Sequence, residues 1–174
     1  FIDFTNGLSV RHRVQNHPSL MVAGSLTKIF AIPGVRIGFL LAQPGNMAAL
    51  KAYQPPWALS VFADRVAAAA GMSQGFIRQT AVQTSDARYR FKVSLEALGV
   101  FVYDSCANYL LVDLAPAGIT AAALAGELRQ HHILVRDCEN YEGLDAYHMR
   151  VAVKSDTDNE RLIDQLTHVL RGKA

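Results

Sequence analysis

The stretch from Phe76 to Leu98 constrains this chain most. Ile77, Ala81, Thr84, Ala87, Phe91, Leu95 and Leu98 recur at spacings of three or four, and Gly99 follows. That spacing aligns one apolar stripe on a 3.6-residue helix, and glycine is the usual residue just past a helix end. One long helix is therefore predicted, with differently textured sequence on either side, and a domain boundary is expected near its start, dividing 1–76 from 77–174. Before it, the apolar runs Met21 to Gly24 and Ile37 to Ala42 read as strands, the second as one buried on both faces. Met47 to Tyr53 reads as a short helix stopped by Pro55-Pro56-Trp57. Ser60 is placed to cap a helix over Val61 to Met72, whose Ala67 to Ala70 block suggests thorough burial. After the long helix, Val100 to Tyr103, Asn108 to Leu114, Ile133 to Arg136 and Met149 to Val153 read as strands. Thr120 to His131 and Asp158 to Arg171 read as helices. Strands alternating with helices argue an α/β class.

Composition closes off several functions. The 174 residues are 51% hydrophobic and 18% charged, with mean hydropathy +0.13, inside the globular range and away from disorder. A formal charge of +2 and a pI near 8.6 leave no basic stripe for a nucleic-acid partner. No apolar run approaches the ~18 residues a membrane span needs, and no signal-peptide pattern opens the chain. Cys106 and Cys138 show no disulfide framework, CxxC or zinc spacing, which favours a reducing, cytoplasmic setting. His131-His132 suit a helix C-terminus rather than a metal site. The opening Phe1-Ile2-Asp3-Phe4, strand-like and without Met, reads as part of a longer protein.

Chemistry is concentrated between the first two strands. Ser25-Leu26-Thr27-Lys28 and Pro33-Gly34-Val35-Arg36-Ile37-Gly38 bring two hydroxyls, an amine, a guanidinium and two glycines into one loop. A lysine at the end of a buried strand loses its proton cheaply by desolvation and can attack an aldehyde to form a Schiff base. Ser25, Thr27 and Arg36 could together hold a phosphate dianion. Spacing alone leaves another reading open, with Lys28 a solvated loop lysine and Arg36 an ion-pair partner.

Ser-x-x-Lys followed by Gly-x-Arg-x-Gly resembles the lysine segment of the fold-type I pyridoxal-phosphate enzymes, the aminotransferase superfamily. Further stretches resemble its threonine-phosphate decarboxylases of cobalamin biosynthesis: Pro56-Trp57-Ala58-Leu59-Ser60, Ala107-Asn108-Tyr109-Leu110-Leu111, Ile133 to Cys138, Asn140-Tyr141, Gly143-Leu144-Asp145, Arg150 to Val153 and Asn159 to Leu162. Histidinol-phosphate aminotransferases usually carry Pro-Tyr in place of Pro56-Trp57 and a glycine in place of Lys154.

The resemblance implies part of a large cofactor domain joined to an α+β small domain. It implies pyridoxal 5'-phosphate as cofactor, bound by Ser25, Thr27, Lys28 and Arg36, with Lys28 as the catalytic amine. Arg150, Arg136 and Asn108 would contact a small phosphorylated amino acid, and the enzyme would be a homodimer. The expected activity is decarboxylation of L-threonine O-3-phosphate to (R)-1-amino-2-propanol phosphate. Phosphorylated-amine transamination and a non-catalytic fragment are the alternatives. Arg150 could instead serve a structural ion pair, and Asn108 could merely satisfy a turn. The family's glycine-rich phosphate loop, its ring-stacking aromatic and its pyridine-pairing Asp have no counterpart here, and Asp3 is not that Asp. These gaps are why a C-terminal half is expected, inactive by itself.

Overall fold

The computed structural model describes residues 1–5 and 9–171, which fall in two compact units, residues 1–81 and 82–174.

In the first unit, β1 (Val22–Ser25) and β2 (Gly38–Leu41) form a two-stranded antiparallel sheet in which Ser25 faces Gly38 and Gly24 faces Phe39. All four β2 positions are exposed, so the expectation of a strand buried on both faces fails. Its apolar run has β1 alongside, and Phe39, Leu40 and Leu41 remain 37–38% exposed. Helix α1 (Pro44–Lys51) starts on Pro44, whose fixed φ and missing N–H suit a first turn. It is tied back by Gln43 Nε2, which donates to Val14 O and Gln15 O, and by Asn46 Nδ2, which donates to Pro18 O. Helix α2 (Val61–Gly71) is capped as its sequence predicts, Ser60 Oγ accepting from the Ala63 amide at 3.1 Å. It is not well buried: only Ala63 and Ala70 are, and Val61 and Phe62 are largely exposed. An alanine block allows close packing but supplies little apolar area to drive it.

Helix α3 (Gln74–Glu96) runs from the first unit into the second. Each of the seven stripe residues expected from the sequence is buried or half-buried, and Gly99 stands at φ +83°, the left-handed conformation that closes the helix. In the second unit β3 (Phe101–Val102), β4 (Tyr109–Asp113), β5 (Arg136–Asp137) and β6 (His148–Ala152) form an antiparallel sheet in the order β3-β4-β6-β5. Helices α4 (Ala121–Gln130) and α5 (Asp156–Arg171) complete it. Leu110 and Val112 of β4 face Val151 and Met149 of β6, and these residues join Phe91, Leu95, Leu124, Leu128, Leu162 and Leu166 in one core. Burial of such side chains contributes about 1.5–3 kcal/mol each before conformational entropy is set against it. The strand expected over Ile133 to Arg136 is displaced to Arg136–Asp137. The preceding residues close α4 instead: His132 adopts φ +58° and the Ile133 amide donates to Leu128 O, capping exposed carbonyls of the last turn.

Candidate active site

Two groups of residues are candidates, one in each unit. In the first unit the loop between β1 and β2 closes on itself: the Leu26 amide donates to Ile37 O, the Phe30 amide to Leu26 O and the Ile32 amide to Thr27 O. Ser25 Oγ and Thr27 Oγ1 lie 2.8 Å apart, and the Thr27 amide donates to Ser25 Oγ. Thr27 is buried, whereas Ser25, Lys28 and Arg36 are exposed. Arg36 sits at the end of a tight turn over Pro33–Val35, and one nitrogen, Nη1, donates to Pro33 O at 3.1 Å. Strand pairing joins Ser25 to Gly38, so Arg36 is held near the same end of the hairpin as the two hydroxyls.

The backbone of this loop is strained. Ala31 and Arg36 have φ values of +53° and +56°, a region that costs a non-glycine residue about 1–2 kcal/mol. A Cβ at position 38 would stand 2.6 Å from Gly24 O, so only glycine permits this closure. Gly34, by contrast, has open space around it. Exposed Lys28, with Nζ 6.0 Å from the Phe1 ring centroid, does not gain from the described residues the desolvation argued from a buried strand. The donor set nevertheless suits a phosphate: two hydroxyls on one edge of the loop and a guanidinium whose remaining N–H groups have no partner among the described residues.

In the second unit the sheet carries its chemistry on the side away from the core. Arg136 of β5 stands directly opposite Arg150 of β6, and Arg150 opposite Leu111 of β4. Like charges directly opposite each other across strands repel. Neither guanidinium is neutralised by a carboxylate among the described residues. Each instead lies against a phenol ring, Arg150 over Tyr109 at 5.0 Å and Arg136 over Tyr141 at 5.5 Å, and Arg136 Nη2 donates to Asn140 Oδ1. An anion between the two would relieve the repulsion.

Asn108, at the entry to β4, gives its carbonyl to the Val153 amide, while its side-chain Oδ1 is buried without a partner. Such an orphan acceptor costs about 1–3 kcal/mol unless a donor arrives. Satisfaction of a turn is therefore not what that oxygen does. Ser25 and Thr27 are thus brought together, as are Arg136 and Arg150. Sequence reasoning missed Arg88, whose Nη1 donates to Ala107 O beside Asn108, and assigned no role to Tyr109 or Tyr141, the two tyrosines beneath the arginines. The tyrosine at 109 had a signal, the alternation Tyr109, Leu111 against buried Leu110, Val112. Among the described residues no cluster of His, Cys, Asp and Glu could hold a metal ion, and no helix is long and apolar enough to cross a membrane.

Residues 1–166 match the family described as aminotransferase class I and II. The chain belongs to that family. Its members depend on pyridoxal phosphate, and the fold is that of the fold-type I enzymes. The chain is 35% identical over 163 residues to the threonine-phosphate decarboxylase of Salmonella typhimurium, covering 92% of this chain and 44% of that protein. The histidinol-phosphate aminotransferase structure from Clostridium acetobutylicum superposes with a TM-score of 0.90 at 28% identity, covering 99% of this chain and 52% of that one. That from Sinorhizobium meliloti, solved with pyridoxal-5'-phosphate, gives 0.86 at 21% identity over 99% of this chain and 47% of that one. The chain thus spans about half the length of the relatives it matches.

Proposed function

We propose that the protein containing this chain removes the carboxylate of L-threonine O-3-phosphate as CO2, giving (R)-1-amino-2-propanol phosphate, a step of cobalamin biosynthesis, and that it acts as a homodimer. The observation that carries this reading is the facing pair Arg136 and Arg150, two cations without carboxylate partners among the described residues, which suit a substrate bearing both a carboxylate and a phosphate. Likeness to a threonine-phosphate decarboxylase supports it.

In this reading residues 1–76 belong to the large domain and 77–174 to the connecting helix and small domain. Ser25, Thr27 and Arg36 hold the cofactor phosphate, the hydroxyls by hydrogen bonds and Arg36 by charge. When bound, pyridoxal phosphate supplies an aldehyde for amine capture and an electron sink for the pair released as the Cα–carboxylate bond breaks. Lys28 Nζ is the chain's own amine, and it carries the proton that replaces CO2 on Cα, so that one proton is consumed for each CO2 released. Arg150 grips one anionic group and Arg136 the other, which fixes which bond at Cα stands ready to break. Asn108 Oδ1 accepts a hydrogen bond from the bound substrate, ending its isolation.

Transamination of a phosphorylated amine is the second reading, favoured by the closeness of the aminotransferase fold. The whole protein, supplied with pyridoxal phosphate and L-threonine O-3-phosphate, separates the two. Stoichiometric CO2 without 2-oxoglutarate is expected. Glutamate formed from 2-oxoglutarate and histidinol phosphate, with no CO2, overturns the decarboxylase in favour of the second.

A further inference from the structure

Strand β6 presents His148 and Arg150 in succession on one side, because residues two apart on a strand share a face and lie about 7 Å apart. Register sets Asp113 of β4 opposite His148, with Phe101 of β3 beyond it. On the β5 side the Cys138 amide donates to His148 O. Unlike the two arginines, His148 is buried, 9% exposed.

Both of its ring nitrogens are engaged. Nδ1 lies 2.7 Å from Asp145 Oδ1, in the loop that leads into β6, and Nε2 lies 3.2 Å from the hydroxyl of Tyr103, just past β3. The Asp145 amide also approaches Nδ1, at 3.3 Å, but the shorter contact to a carboxylate makes Nδ1 a donor. The hydroxyl of Tyr103 can then donate to a neutral Nε2 or accept from a protonated one. The imidazole can therefore gain a proton without losing a hydrogen bond. The titratable and charged groups around it are Asp145, Asp113, Tyr103 and Cys138, with Arg150 and Arg136 farther along the same face.

We propose that His148 is a third, proton-gated cation of the anion site formed by Arg136 and Arg150, so that a phosphate monoester is held more tightly when His148 is protonated. This rests on reading the arginine pair as an anion site. The argument is electrostatic. A buried charge is less screened by salt than an exposed one, and histidine is the side chain whose charge changes between about pH 5 and 8. Linkage makes the effect reciprocal: whatever factor protonation adds to anion affinity, the anion adds to proton affinity. A phosphate monoester loses its second proton near pH 6, so dianion and imidazolium coexist around that pH.

Inorganic sulfate, which stays a dianion across the range, is the probe, followed by NMR of the histidine ring nitrogens and arginine Nε groups of the full chain from pH 5 to 8. The expected result is a His148 midpoint raised by about half a pH unit or more by saturating sulfate, equivalent to about threefold in sulfate affinity, and unchanged by chloride at equal ionic strength. His148→Gln should bind sulfate independently of pH over the same range. Arginine signals that respond to sulfate while the His148 midpoint stays fixed overturn the coupling and leave the anion site standing. Arginine signals that do not respond overturn both. An equal rise with chloride reduces the effect to ionic strength and also overturns the proposal. Should His148→Gln fail to fold, the wild-type titration decides alone.

Discussion

Lys28 and Asp145 show how single side chains can be tested. In the whole protein with pyridoxal phosphate, borohydride should fix a label on the peptide containing Lys28. Lys28→Ala should carry no label and lose at least about a thousandfold in turnover, as expected when the group that moves the proton is removed. A label on another lysine would move the catalytic role. Asp145 is held below the usual carboxylate range, first by the Tyr147 amide and then by the His148 side chain. A depressed carboxylate stabilises the fold above its unfolded pKa and stops doing so as pH falls through its folded value. Asp145→Asn should therefore lower the melting temperature at pH 7, and the gap from wild type should close as the pH is taken below about 4. An equal gap at both pH values would show that the carboxylate charge is not what matters. The loop bearing Lys28 stood out in the sequence through its resemblance to the family's lysine segment, since its spacing alone left another reading open. The Asp145–His148–Tyr103 chain did not, since Tyr103 is 45 residues from His148 in sequence and only the folded sheet brings it to the local Asp145–His148 pair.

At the scale of elements, periodicity was the reliable signal wherever a core existed to enforce it. The α3 stripe from Ile77 to Leu98 follows the sequence residue by residue in the structure, and β4 alternates as a strand with one buried face should. Where the reading depended on what lies against an element, it failed. The apolar residues of β2 and the alanines of α2 look like core sequence, yet burial depends on a neighbour, and a sequence states its own apolarity rather than the neighbour's presence. The Ser60 cap was readable because a cap is local, and the structure adds a second that the sequence reading placed inside its helix: Thr120 Oγ1 accepts from the Ala123 amide at 3.3 Å. Thr120→Ala should cost about 1 kcal/mol, and Leu124→Ala, inside the core, about 2–5 kcal/mol, both read from chemical denaturation. A cap loss as large as the core loss would mean that α4 depends more on its first turn than on its packing.

For the whole molecule, the division of buried residues is unequal. The principal core lies entirely between Phe91 and Leu166, while the first unit buries scattered residues such as Phe4, Val14, Ile29 and Ile37. Local opening is easiest where few apolar contacts must break. Limited proteolysis of the 174-residue chain should therefore cut first within Ala52 to Ser60, where every residue is exposed, and leave a resistant fragment that contains Val82 to Leu166. Early cuts inside β4 or α4 would contradict this ranking.

The chain's single tryptophan, Trp57, stands 97% exposed in that same segment. An indole in water emits at longer wavelength than one enclosed by protein, so this residue is a built-in fluorescent reporter. Its emission should move to the blue when any other polypeptide covers the segment, giving association a colour of its own without a label.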